Sequence, residues 1–193
     1  RVRSYMFNPL NDYDFLILPC RDNSSPAHWQ SHWEGALPNM TRVNQDEWVS
    51  PIYKDWAKRL TKYVTEAKRP IVLIGHSLGT SLIMHWAQEN DTANVAGAFI
   101  VAPSDRGEND IWPDAEKNGF APMDLRPLPF KSLVVASRND PYVAFERAEL
   151  FAQVWGSDIA DMGHIGHMGN TEGLGIWPDG LFLFGAFVAT LNA

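Results

Sequence analysis

Residues 71–79 read Ile-Val-Leu-Ile-Gly-His-Ser-Leu-Gly and restrict the fold more than any other stretch of the chain. An aliphatic run stops at Gly75, a serine stands two positions on, and Gly79 follows two beyond that. Leu82, Ile83 and Trp86 then recur at helical spacing. A buried strand, a tight turn and an amphipathic helix are expected, with G-x-S-x-G across the turn, the sequence form of a nucleophile elbow. Such a turn holds Ser77 at a strained backbone position. It needs glycine at 75 and 79, where a Cβ would meet the neighbouring strand or helix. It also sets the serine oxygen beside the first N–H groups of the helix, which stabilise developing negative charge.

The same alternation runs through the chain. Phe15–Leu18 reads as a first buried strand ending at Pro19, His28–Glu34 as a short helix, and Met40–Val43 as a second strand. Ser50-Pro51 suits an N-cap followed by proline at the first helical position. Ile52, Trp56, Leu60 and Val64 then form one apolar stripe, and Lys68 and Arg69 suit the helix C-terminus. Strands are expected at Val95–Val101 and Ser132–Ser137. A helix over Val143–Val154 stops at Gly156, a short strand precedes Asp161, and a last helix covers Gly180–Leu191. Continuous apolar strands alternating with helices predict an α/β fold, a mostly parallel central sheet flanked by helices on both faces. The 193 residues suit a single domain, 1–193. In such sheets sites form at the carboxyl ends of the strands, where Ser77 falls.

Residues 103–129 differ in texture, with five prolines and six acids around isolated Ile111, Trp112 and Phe120. Two readings stand: a solvated surface excursion, or a flap over the site with Trp112 and Phe120 as pocket walls. A net charge of −7 without a Lys/Arg cluster argues against a nucleic-acid or anionic-membrane partner. A lone cysteine, Cys20, excludes an internal disulfide and a cysteine-based zinc site and fits a reducing compartment. No apolar stretch approaches the roughly 20 residues that span a bilayer, and no signal-peptide pattern is visible, so a cytoplasmic location is the expectation.

A serine hydroxyl needs a base to take its proton, and the base an acid to orient it. Asp140, in Ser137-Arg-Asn-Asp-Pro-Tyr after a buried strand, is the acid candidate, with Pro141 ending the strand. The base is His164 or His167, in Gly-His-Ile-Gly-His-Met-Gly. Two histidines three apart also suit a metal pair, but no H-E-x-x-H or further ligand accompanies them, so no metal is expected. His28 and His32 lack a third ligand and read as packing or surface residues. His76 reads as support for the turn.

Together these motifs resemble the small serine hydrolases of the α/β-hydrolase fold that include YdeN-like proteins and retinoblastoma-binding protein nine. The resemblance extends over nearly the whole chain. It takes in His28-Trp-Gln-Ser-His-Trp-Glu, Pro51-Ile-Tyr-Lys-Asp-Trp56, Val101-Ala-Pro, Leu128-Pro-Phe-Lys-Ser, Ala152-Gln-Val-Trp-Gly and Gly173-Leu-Gly-Ile-Trp-Pro-Asp-Gly180. It implies an α/β-hydrolase fold without a large cap domain and hydrolysis without metal or organic cofactor. It also implies His167 as the base, ten positions before Trp177. Trp177 joins Trp112 and Phe120 as a candidate pocket residue. One departure stands out: where the family has Pro-Gly after the first strand, this chain has Pro19-Cys20-Arg21. The oxyanion donors expected are the N–H groups of Leu78 and Arg21.

The expectation is a carboxylesterase-like serine hydrolase that acts on a small-molecule acyl substrate through Ser77, Asp140 and His167 and an acyl-enzyme. Amide or peptide hydrolysis uses the same machinery. A protein-binding module on a hydrolase scaffold is the alternative from another class, because fold does not guarantee activity.

Overall fold

The computed structural model describes residues 9–106, 112 and 114–191. Six strands, β1 (Asp14–Leu18), β2 (Met40–Arg42), β3 (Ile71–His76), β4 (Val95–Val101), β5 (Lys131–Ala136) and β6 (Asp158–Asp161), form one sheet in the order β2-β1-β3-β4-β5-β6. Every pairing is parallel. Among the described residues, five α-helices connect or follow them: α1 (Trp29–Ala36), α2 (Tyr53–Glu66), α3 (Leu78–Glu89), α4 (Phe145–Trp155) and α5 (Pro178–Thr190).

Side chains of the central strands alternate between two cores, as a pleat of period two requires. Leu16, Leu73, Ile100 and Val134 pack with α2, α3 and α4 on one face. Phe15, Ile74, Phe99 and Val135 pack with Trp29 and Trp33 of α1 and with Phe184 and Phe187 of α5 on the other. Both faces are covered, so β3 is buried at all six positions. The edge strand β6 is mostly exposed and carries Asp158 and Asp161, charges that blunt an open edge.

Registers bring the carboxyl ends level: Leu18 pairs with Gly75, His76 with Val101, and Val101 with Val135. Gln30 ties two of these ends together, donating to the carbonyls of Leu18 at 3.3 Å and Ile74 at 3.2 Å. The loops after β1, β3, β4, β5 and β6 therefore open onto one rim.

Helix α2 differs from the sequence expectation at both ends. Ile52 is the N-cap and Tyr53 the first helical residue. The Glu47 carboxylate takes the N–H groups of Val49 and Ser50 and closes a turn before the helix, leaving Ile52 49% exposed and off the stripe. Lys68 and Arg69 lie beyond the helix end. Their N–H groups donate to Asp14, and Arg69 forms an ion pair with the same carboxylate. Trp56, Leu60 and Val64 are buried as the pattern required.

Of the long segment, Trp112, Ala115, Phe120 and Met123 are buried. Phe120 stands edge-on to Tyr53 and Trp56 at 5.8 and 5.5 Å. Along these residues the segment is not a solvated excursion: Phe120 packs onto α2, while Trp112 lines the cleft that holds Ser77.

Candidate active site

The turn between β3 and α3 holds Ser77 at φ 53°, ψ −115°, a strained conformation for a residue with a side chain. Its flanking glycines are demanded by contact. A Cβ on Gly79 would lie 2.0 Å from the Leu18 carbonyl oxygen, and one on Gly75 would lie 2.7 Å from Ile83. The strand, turn and helix of residues 71–89 are those expected from the sequence. Leu78 opens α3, so its N–H has no partner within the helix and faces the turn.

His167 Nδ1 lies 2.8 Å and 3.0 Å from the two Asp140 carboxylate oxygens. Asp140 follows β5, and its Oδ1 also accepts the Tyr142 N–H at 2.9 Å. Both residues are buried, whereas His164 is exposed. The His167 ring is flanked by Tyr142, edge-on at 4.4 Å, and by His76 at 5.0 Å. Around it the loops after β5 and β6 are stitched together. Ser137 Oγ accepts the Ile165 N–H, and Asn139 Oδ1 accepts the Gly166 N–H.

Glu172 holds the same loop from the far side, accepting the N–H groups of His167 at 3.3 Å and Gly169 at 2.7 Å. Burial opposes its ionisation, but these N–H groups prevail and hold its carboxyl below the usual range. Gly166 has φ +67°, and a Cβ there would lie 2.8 Å from Glu172, so glycine is needed on both counts.

A cleft of about 170 Å³ collects Cys20, Arg21, Asp22, Ser77, Ser104, Arg106, Trp112, Tyr142 and His167. Of the candidates named from sequence, it brings together Ser77, His167, Arg21 and Trp112, with Asp140 behind His167. Phe120 and Trp177 are elsewhere. Phe120 is fully buried in the α2 core. Trp177 caps α5 with its indole against Trp29 and Trp33, in the layer beneath the site. Both large aromatics stand close to the site in sequence but turn into the core.

Sequence reasoning missed Ser104, whose Oγ lies 3.0 Å from Ser77 Oγ. Its position just past β4, at the rim where sites form, was the available signal. Tyr142 was visible in Asp-Pro-Tyr without a role attached. Glu172 had no signal, since a single acid in a glycine-rich loop is common.

The loop after β1 is braced although it lacks the family's glycine. Asp22 and Asn23 take left-handed conformations, the Asp22 N–H donates to Trp48, and Arg42 donates to Asn23 Oδ1. Cys20 Sγ donates to the Asn23 carbonyl at 3.7 Å, and burial pushes its thiol up to about 11. The Arg21 and Arg106 guanidinium groups stand over the Trp112 ring at 5.5 and 5.9 Å. Among the described residues, no cluster of three or more His, Cys, Asp or Glu side chains is disposed to hold a metal ion. Among them, too, no helix is long and apolar enough to cross a membrane.

A family model described as serine hydrolase matches residues 15–186. Among solved structures, one described as a YdeN-like hydrolase from Pectobacterium atrosepticum SCRI1043 is 30% identical. That match covers 95% of this chain and 94% of that one, with a TM-score of 0.83. The ydeN gene product of B. subtilis is 18% identical over 92% of this chain and 99% of its own, with a TM-score of 0.69. The esterase domain of a Rhodothermus marinus protein is 14% identical over 95% and 88%, with a TM-score of 0.64. These last two share the fold. No curated protein sequence matches the chain.

Proposed function

The chain belongs to the serine hydrolase family, and on that footing we propose that it cleaves small acyl esters through Ser77, His167 and Asp140. One observation carries the reading. His167 Nδ1 is held by both oxygens of a buried aspartate while its ring and Ser77 line one cleft.

The chemistry follows from the tautomer. A carboxylate only accepts hydrogen bonds, so the neutral imidazole carries its proton on Nδ1 and presents a bare Nε2 as base. Ser77 Oγ attacks the acyl carbon as its proton passes to Nε2. Asp140 stabilises the imidazolium, and the Leu78 and Arg21 N–H groups receive the oxyanion. The imidazolium then protonates the leaving alkoxide, and water, activated by the same nitrogen, releases the acid. Ser77 Oγ lies within hydrogen-bond distance of Ser104 Oγ, and attack requires it to turn to His167 Nε2, a geometry that forms as substrate binds. Ser104 keeps the nucleophile's hydroxyl oriented meanwhile.

The lining by Arg21, Asp22, Ser104 and Arg106 is polar and favours a short acyl group over a long aliphatic chain. The esterase domain from Rhodothermus marinus shares the architecture and supports an ester as substrate.

A fluorophosphonate probe tests the reading. Wild type is expected to label, Ser77→Ala not, and p-nitrophenyl acetate to be cleaved faster than the decanoate. Absent labelling of wild type, or equal labelling of Ser77→Ala, refutes it. A matched anilide separates esterase from amidase action, and turnover of the anilide at background is the outcome expected.

A further inference from the structure

Among the described residues, two buried ring nitrogens beneath the site find no hydrogen-bond partner, His28 Nε2 and His76 Nδ1. Both histidines are 1% exposed, and their ring centroids are 4.9 Å apart. Neither nitrogen takes part in the chemistry described above. A buried polar atom left unsatisfied bears its full desolvation penalty, so each requires a partner.

The bonds on the opposite side of each ring settle which nitrogen carries the proton. His28 caps α1, and its Nδ1 lies 3.1 Å from the Gln30 N–H. A main-chain N–H can only donate, so Nδ1 is bare and the neutral ring has its proton on Nε2. His76 Nε2 lies 2.9 Å from the His167 carbonyl oxygen. A carbonyl can only accept, so Nε2 carries the proton and Nδ1 is bare. One orphan is therefore a donor and its neighbour an acceptor. Burial, the foremost cause in both, holds the rings neutral, His28 near 4 and His76 well below the ordinary histidine value.

We propose that one buried water accepts from His28 Nε2–H and donates to His76 Nδ1, and that this bridge makes His76 a positioning residue for the base His167. Water fits because it donates and accepts at once, and polar pairs of this kind are where buried waters sit. The bridge selects one tautomer of His76. Were the proton on Nδ1 instead, the bare Nε2 would point its lone pair at the His167 carbonyl and the bond would be lost.

The next carbonyl is held from the same helix. Trp29 Nε1 donates to the Met168 carbonyl at 2.8 Å. Met168 sits at φ +54°, a left-handed conformation that a residue with a Cβ adopts only when its surroundings impose it. Two successive carbonyls of the base loop are thus gripped, one by α1 directly and one through His28, the water and His76. Proximity catalysis tolerates little slack: misplacing a reacting group by about 1 Å costs about 100-fold.

The positioning role rests on His167 being the base; the water and the tautomers do not. Long-range ¹H–¹⁵N spectra of the wild-type imidazoles are expected to show both rings protonated at Nε2. A crystal structure at high resolution is expected to show one water within about 3 Å of both nitrogens. An Nδ1–H form of either ring, or no water between them, overturns the bridge. For the positioning role, His76→Phe is expected to lower kcat on a short ester about 10- to 100-fold with KM little changed. His76→Gln, whose amide N–H can still donate to the His167 carbonyl, should recover most of that loss. Unchanged kcat in a folded His76→Phe, or no recovery in a folded His76→Gln, overturns it. If His76→Phe does not fold, His76→Leu takes its place: kcat is expected to fall at constant KM, and unchanged kcat overturns the role. If wild type neither labels with a fluorophosphonate nor cleaves esters, the esterase reading fails, while the spectra and the water still decide the bridge.

Discussion

The wall of the cleft that carries His167 rests on the α1–α5 core, where Trp29, Trp33 and Trp177 are almost wholly buried. The opposite wall is the loop after β1, where the side chains of Arg21 and Asp22 are 42% and 57% exposed. On the first wall, position is enforced by aromatic packing and by hydrogen bonds that cannot exchange with water. On the second, the backbone is braced by Arg42 and Trp48 while the Arg21 and Asp22 side chains remain solvated. Groups that move protons need fixed geometry, and groups that meet varied substrates do not. The contrast locates the rigid half of the site on one face of the sheet.

The first way to break that contrast is at its centre. Asp140→Asn should keep the Tyr142 N–H bond and the packing yet lower kcat by about 10⁴-fold, because an amide no longer selects the productive tautomer. Steady-state kinetics on a short ester would show it, and a loss under tenfold would contradict the role given to Asp140.

The long segment divides in the same way. Phe120→Ala should cost about 3–5 kcal/mol in urea unfolding, as for a large aromatic removed from a core, and leave the order of preference among esters unchanged. Trp112→Ala should instead shift that order, since Trp112 lines the cleft.

The buried wall should also make the protein acid-sensitive. His28 and His76 have lowered folded-state values, so the unfolded chain binds more protons below about pH 6.5. Their contribution to stability is complete above that pH and lost as pH falls toward about 4 for His28 and lower for His76. For His28 alone the loss is on the order of 3 kcal/mol. Unfolding measured from pH 7 to 4 should show the slope, and His28→Asn, which keeps a capping oxygen but does not titrate, should flatten it.

The smallest effect belongs to the loop after β1, where Cys20 is half-buried beside the solvated Arg21 and Asp22. With its thiol pushed up to about 11, Cys20 should react with iodoacetamide at pH 8 about 100-fold more slowly than a free thiol. A rate matching glutathione would mean that the loop opens readily.

The strand–turn–helix around Ser77, the order of elements and the parallel sheet were all readable from local pattern. Each depends on neighbours in sequence: aliphatic runs of strand length, helical spacing, and glycines at 75, 79 and 156. Where the reading failed, a distant group intervened. Glu47 moved the start of α2 past Ile52, and Asp14 claimed the N–H groups of Lys68 and Arg69. Trp177 and Phe120 have the composition of pocket walls, but they turn inward because burying an aromatic ring against Trp33 or Trp56 outweighs exposing it at a rim.

The amino-acid sequence by itself therefore determined the fold class, the turn that presents Ser77, and the residue types able to act with it. Family likeness narrowed the histidine to 167, whose distance to Asp140 only the folded chain supplies. Tertiary structure alone decided that Ser104 meets the nucleophile, that Glu172 holds the base loop, and that the His28 and His76 rings meet beneath it, tilted, with centroids 4.9 Å apart. The reason is physical. Backbone propensity and periodicity act over a few residues and are written in order, whereas a hydrogen bond between residues 76 and 167 exists only once the end of β3 and a distant loop have been brought to the same end of the sheet.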